Sequence, residues 1–294
     1  MTSNVPSPSE LPVASDVTYH KLFDDCDADI ILQSKDGILF RVPSTVLQKT
    51  STFFRSMLSL PQGSQSPRPA NLTLPLDEEA WIVEPVLRMV CGLPIIIDEV
   101  LDSFDTVEPI LHCCDKYGMG GPLSIIQSAI TRPRLLENPL RLYKLACRYD
   151  WPEAKLAGWL CLKYDISHPD TITRLRGLDL SDYSRLMDLA VRRREKFEES
   201  LNDPQKFQGS SPEYACSKCH MIVNDLSWRV LRLVLLREIQ QCPSGDTIRG
   251  ETWRWWPETI AVLGATHCGK LLYDAEGTRA NILHALDELP INLV

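Results

Sequence analysis

The chain has 294 residues, 44% of them hydrophobic, and a formal net charge of −8. That length allows one large domain or two ordinary ones. The acidic balance argues against nucleic acid as the main partner, because phosphate binding needs clustered Lys and Arg. No run of about 18 apolar residues marks a membrane span.

The first sixteen residues are rich in Ser and Pro and lack the basic start and apolar core of a secretory signal, so 1–16 reads as a disordered tail of an intracellular chain, cytoplasmic or nuclear. The segment from Asp27 to Leu58 then reads as two short strands and two short helices. Ile30 and Leu32 alternate with polar residues, as do Ile38, Phe40 and Val42, and Asp36-Gly37 between them signals a tight hairpin turn. Ser44 is placed to cap a helix carrying Val46 and Leu47. Phe53, Phe54, Met57 and Leu58 give the next helix an apolar face. Phe53→Ala is expected to cost about 3–5 kcal/mol if that ring fills the core.

Residues 59–71, rich in Pro, Ser and Gln, read as a loop, and Leu72 and Leu74 suggest a third strand. Pro85 suits the first turn of a helix carrying Val86, Leu87, Met89 and Val90 and ending at Gly92. A further helix spans about 105–117, with Val107, Ile110, Leu111, Cys114 and Tyr117 apolar. The run Gly118, Gly120, Gly121 and Pro122 interrupts it before a helix carrying Leu123, Ile126, Ala129 and Ile130.

This order resembles the BTB/POZ domain over about residues 17–132, on an Asp-headed strand (Asp29), a G-x-x-F strand (Gly37 to Phe40), a "VL" helix (Val46-Leu47) and an S-x-x-F-x-x-M-L helix (Ser51 to Leu58). The phrases LRMVCGLP and KYGMGGPL are similar to those of BTB proteins expanded in mushroom-forming fungi. The resemblance implies an α+β fold, a short-stranded sheet flanked by helices. It implies self-association through the first strand and first helix, with Val17, Tyr19, Leu22, Asp29, Val46 and Leu47 at the interface. Pro43 and Ser44 stand where BTB transcription regulators carry a basic pair beside the Asp, which alters a co-repressor pocket. Residues 59–76 contain no Glu, so the hydrophobic-x-Glu motif of many cullin-3 adaptors is missing.

From Asn138 the pattern is helical and similar in layout to a BACK-type region, taken as 133–203. Asn138-Pro139, Trp151-Pro152-Glu153, a Ser167–Asp170 capping box and Ser181 mark the helix starts. The expected apolar faces include Leu156, Trp159 and Leu160, then Ile172 and Leu175, then Leu186, Leu189 and Ala190. Arg192-Arg193-Arg194 and Lys196 interleave with Glu195, Glu198 and Glu199, which suits ion pairs on a solvated helix face.

After Asp203-Pro204 the composition changes, and 204–294 reads as a small C-terminal unit. Of ten cysteines, Cys91, Cys113, Cys114, Cys147 and Cys161 lie in apolar helical patterns and read as buried thiols. Cys216-x-x-Cys219 has the spacing of half a zinc site. Cys216, Cys219 and Cys268 are the candidate ligands, with His267 or Cys242 as the fourth and His220 also within reach in sequence. Free thiols, a redox pair and covalent haem attachment by the C-x-x-C-H string are the other readings of the same motif. Trp253, Trp255 and Trp256 read as a small core or peptide groove before a base-stacking platform.

No signature of an enzyme stands out: there is no G-x-G-x-x-G, phosphate loop, H-E-x-x-H or G-x-S-x-G. The expectation is a non-enzymatic scaffold that dimerises and recruits a protein partner, as a ubiquitin-ligase substrate adaptor of cullin-3 in one version. The alternative is a nuclear transcription or chromatin regulator with a C-terminal zinc-binding unit.

Overall fold

In a computed structural model of the chain, residues 18–60, 72–100, 102–207, 215–223 and 226–293 are described, with only the backbone of Glu251. The expected tail, Val17 and residues 61–71 of the expected loop lie outside the described residues. The fold is mixed α and β, mostly helical, with a small sheet of three strands. It divides into two units, Met1–Ile130 and Thr131–Val294.

In the first unit, β1 (Ile30–Gln33) and β2 (Leu39–Val42) pair antiparallel, with Ile30 opposite Val42 and Gln33 opposite Leu39. The hairpin turns at Asp36-Gly37, where Gly37 takes the positive φ (+89°) that a side chain resists. Then α1 (Ser44–Thr50) and α2 (Thr52–Ser59) lead to β3 (Leu72–Pro75), which lies parallel to β1 and gives the order β2-β1-β3. A parallel neighbour cannot be reached by a hairpin, so intervening structure is required.

The start of α1 differs from the expectation. Pro43 is the N-cap, Ser44 is already helical, and the Ser44 amide donates to Asp29 Oδ1 at 2.7 Å. A side chain fifteen residues upstream thus does the work assigned to the Ser44 hydroxyl. Ser51 does cap α2: its Oγ accepts from the Phe54 amide at 3.0 Å and donates to the Tyr117 carbonyl at 2.6 Å. Phe54 and Leu58 are buried, whereas Phe53 is 46% exposed, so the ring that fills the core is Phe54. It stacks on Tyr117 at 5.5 Å.

Next come α3 (Ala80–Cys91), α4 (Ile97–Val100), α5 (Phe104–Lys116) and α6 (Gly120–Ala129). Pro85 lies inside α3 and not in its first turn, because Asp36 Oδ1 accepts from the Ala80 amide at 2.9 Å and fixes the helix start earlier. Helix α6 likewise opens at Gly120, so the break after α5 is shorter than expected. Gly118 makes that break: its φ is +60°, and a Cβ there would sit 1.9 Å from Thr52 Oγ1. Leu32, Phe40, Val42, Leu47, Leu87, Val107, Leu111, Cys114 and Ile126 are buried in this unit.

The second unit opens with α7 (Pro133–Leu136), α8 (Pro139–Arg148), α9 (Ala154–Cys161), α10 (Pro169–Arg174) and α11 (Leu180–Leu201). Asn138 stands at the N-cap of α8, but its side chain accepts from Arg174 instead of the helix. The cap of α10 is His168, whose Nδ1 accepts from the Asp170 amide, and the cap position of α11 is Asp179 and not Ser181. On α9 the buried residues are Ala157, Gly158 and Cys161, and Leu156 is exposed; on α10 Ile172 is exposed.

Then follow α12 (Leu226–Gln241), α13 (Asp246–Arg249), a 3-10 turn (Glu251–Trp255), α14 (Pro257–Leu263), the strand pair β4 (Thr266–His267) and β5 (Lys270–Leu271), and α15 (Ala275–Asp287). The expected division at 203/204 falls inside a shared core. Phe197 and Leu201 of α11 pack with Phe207, Trp228, Leu231, Leu235, Ile239, Trp253, Ile282 and Leu286. Trp228 stacks between Phe207 at 4.5 Å and Tyr273 at 5.8 Å. Trp253 is buried in this core and Trp256 packs against it, while Trp255 is 78% exposed, so two of the indoles serve packing and the three form no shared stacking face.

Candidate metal centre

Two short turns build the site. The first is bracketed by an antiparallel bridge between Ala215 and Ile222, with the Cys216 amide donating to Met221 O at 2.9 Å. The His220 amide returns to Cys216 O at 2.8 Å, and His220 takes a left-handed φ of +58°. This winding brings Cys219 back beside Cys216 and leaves the Lys218 amide 3.4 Å from Cys216 Sγ. The second turn is the β4–β5 hairpin. Its two loop residues, Cys268 and Gly269, both have positive φ, +50° and +77°. That is the signature of the two-residue turn whose twist matches a hairpin.

The two turns meet. Cys219 Sγ lies 3.1 Å from His267 Nε2, and Cys216 Sγ lies 3.9 Å from Cys268 Sγ. The four candidate ligand atoms of Cys216, Cys219, His267 and Cys268 all fall within 4.8 Å of one another. A tetrahedral ion with Zn–S bonds of about 2.3 Å separates its sulfurs by roughly 3.8 Å. The 3.9 Å gap matches that spacing, and all four groups are soft or borderline donors suited to zinc. It is far too long for a disulfide, and these cysteines are free thiols.

The electrostatics are uneven. Backbone amides of Cys219 and Lys218 pull the Cys216 thiol down to about 6. Its neighbour Cys268 is pushed up to about 11, chiefly through its hydrogen bond with Cys219. A cation at the centre of the group would relieve this competition by stabilising all three thiolates at once.

The structure chooses between the alternatives for the fourth ligand. Cys242 is buried in contact with Ser244 Oγ at 3.2 Å and stands outside the group, as does His220. His267 completes a Cys3His set. Elsewhere burial pushes the thiols up, Cys147 to about 11 and Cys113 to about 12, with Cys91, Cys114 and Cys161 raised by the same cause. Cys113, Cys114 and Cys161 are buried, and Cys91 and Cys147 are partly buried.

The residues expected at a self-association surface scatter by burial. Leu22 is 50% exposed, Asp29 is exposed, and Val46 is half-buried. Tyr19 bridges to Leu39 and lies under the Arg41 guanidinium at 4.2 Å. Leu47 is fully buried within its own unit and is thereby withdrawn from the expected interface. Val17 lies outside the described residues.

One residue escaped the sequence reading. Arg192 pairs with Asp188 at 2.7 Å and Lys196 with Glu199 at 3.0 Å, as expected of a solvated face. Arg193 instead points inward at 1% exposure, donating to the carbonyls of Pro243, Pro290 and Ser244. The signal was its period: Leu186, Leu189, Arg193, Phe197 and Leu201 lie on one stripe of α11. Among the described residues no helix is long and apolar enough to cross a membrane. No protein-family model matches the chain, and no curated protein matches it.

Proposed function

We propose that the chain is a protein-interaction scaffold, with a BTB-type module in its first unit and a structural zinc ion holding together the two turns of its second. The reading of the first unit rests on its element order. Asp29 heads β1, Phe40 lies in β2, Val46 and Leu47 lie in α1, and Phe54, Met57 and Leu58 follow in α2 before β3 joins the sheet. That order fits the BTB pattern, and the module's habit is to bind a second copy of itself and other proteins. The self-association surface on this reading comprises Tyr19, Leu22, Asp29 and Val46. The zinc reading rests on the closed Cys3His set, since four protein ligands leave no open position for a substrate.

Light scattering on the purified full chain tests the module. A dimer at micromolar concentration is expected, and Leu22→Glu with Val46→Glu is expected to convert it to a monomer while the far-UV spectrum stays unchanged. A wild-type monomer at every concentration overturns the proposed self-association. Capture of purified cullin-3 by the same preparation tests the adaptor version, and no capture at micromolar concentration counts against it.

A further inference from the structure

The candidate metal centre holds its sulfurs at the surface. Cys219 and Cys268 are exposed and Cys216 is partly so, whereas Cys113, Cys114, Cys161 and Cys242 are buried. The other exposed thiol, Cys26, lies in the first unit, where Arg41 Nη1 donates to it at 3.1 Å. Oxidation of a thiol follows its exposure and its thiolate character, and metal ligation requires the thiolate. The three ligand cysteines are therefore the thiols of the second unit most open to a dissolved oxidant. Two of them already face each other. Cys216 Sγ lies 3.9 Å from Cys268 Sγ, and a disulfide needs about 2.05 Å, so each sulfur has about 1 Å to travel. Neither residue is in a helix: Cys268 stands at the tip of the β4–β5 turn beside Gly269, and Cys216 follows the bridge residue Ala215. Cys219, the nearer neighbour of Cys216 in sequence, is turned to His267 Nε2 at 3.1 Å.

We propose that a peroxide oxidises Cys216 and Cys268 to a disulfide and thereby expels the zinc ion from the Cys3His site. This inference rests on the zinc reading given above. Cys268, the more exposed of the pair, attacks one oxygen of hydrogen peroxide as its thiolate. The O–O bond breaks, hydroxide leaves, and Cys268 becomes a sulfenic acid. The Cys216 thiolate then attacks the Cys268 sulfur, so that the S–S bond forms, the S–O bond breaks and a second hydroxide leaves. Each sulfur gives up one electron, and the two electrons reduce one peroxide to two hydroxides, which take protons from solvent. The ion keeps only Cys219 and His267, two ligands where a closed site needs four, and it dissociates.

The fold permits this exchange. The buried core of the second unit includes none of the four ligands, so loss of the ion removes no packing. The disulfide also ties together the two turns that the ion had joined. The Cys219 thiol and the His267 imidazole are set free side by side, and a dithiol reductant restores the original set by exchange.

Zinc release from the purified full chain tests it, with hydrogen peroxide as oxidant and, as readout, a chromophoric chelator too weak to strip the untreated chain. Peroxide is expected to release the bound zinc and to remove two free thiols for each ion released. Peptide mapping by mass spectrometry is expected to place the cross-link between Cys216 and Cys268. Dithiothreitol with added zinc is expected to restore both thiols and metal. Cys26→Ser and Cys242→Ser are expected to release zinc at the wild-type rate within about twofold, since neither thiol takes part. A bound zinc that peroxide does not release overturns this inference alone and leaves the structural ion standing. A chain that carries no zinc at the outset overturns the zinc reading and this inference with it. Release without loss of thiols, a cross-link from Cys216 to Cys219, or oxidation that dithiothreitol does not reverse also overturns the proposal. So does suppression of release by Cys26→Ser or Cys242→Ser, which would move the chemistry to another thiol.

Discussion

Arg193 Nε, on α11, donates to the carbonyl of Pro243, just beyond α12, at 2.6 Å. The same guanidinium reaches Pro290 O at 2.6 Å and Ser244 O at 3.3 Å, and lies 4.8 Å from the Trp159 ring. Burial, helped by the like charge of Arg249, pushes Arg193 down to about 10, still well above neutrality. It is therefore a buried cation held by carbonyl oxygens, and it fastens α11 to the segments after α12 and α15. Arg193→Met strands three carbonyls and is expected to cost about 3 kcal/mol or more in urea unfolding of the full chain at neutral pH. Lys, a point donor without the planar fork, is expected to recover only part of this. The exposed neighbour Arg194→Ala is expected to stay within about 0.5 kcal/mol, and an equal loss at both positions would contradict the clamp.

The cap of α1 offers a cleaner test, because two residues compete for one role. Asp29→Ala removes the acceptor of the Ser44 amide and is expected to cost about 1 kcal/mol, with Asp29→Asn retaining most of it. Ser44→Ala leaves that hydrogen bond intact and is expected to cost less than about 0.5 kcal/mol. The reverse order would return the capping role to the Ser44 hydroxyl.

The Phe53–Phe54 pair separates core from surface in the same way. Phe54→Ala is expected to cost about 3–5 kcal/mol, since its ring is 1% exposed, and Phe53→Ala about 1 kcal/mol, since nearly half of that ring already meets solvent. Chemical denaturation of the two variants side by side measures the difference.

These corrections share a cause. The hairpin was legible because Asp36-Gly37 and the alternation around it act within a few residues. The choice between Phe53 and Phe54 was not, because helical spacing places both near the apolar face and both rings reach Tyr117 at 5.5 Å; only burial in the assembled core, 1% against 46% exposure, separates them. The Ser44 cap and the start of α3 failed alike, each overridden by a carboxylate from elsewhere in the chain, Asp29 and Asp36. The candidate metal ligands were legible by type, and Cys216-x-x-Cys219 by spacing. Choosing His267 over Cys242 required knowing that the Cys268-Gly269 turn carries His267 to the first loop while Ser244 and the core hold Cys242 away. The boundary placed at 203/204 followed a change of composition, which says nothing about whether Phe197 and Trp228 share a core.

Metal removal distinguishes a zinc-dependent fold from a fold that zinc merely fastens. In small zinc fingers the ion replaces the core, and its loss unfolds the chain. Here the buried core of the second unit runs from Phe197 through Trp228 to Leu289 and includes none of the four ligands. Chelation is therefore expected to free the two turns and leave the helices in place. Mass spectrometry of the native full chain is expected to find about one zinc per molecule, removed by chelator with little change in far-UV signal. Amide exchange across 215–223 and 266–271 is expected to accelerate at least about tenfold, while α12 and α15 stay protected. Cys219→Ser is expected to lose the metal, and Cys242→Ser to keep it, because only the first lies in the ligand group. Full unfolding on chelation would mean the ion supports the helical core as well. A metal-free native chain, or equal effects of the two serine substitutions, would remove the zinc from the second unit altogether.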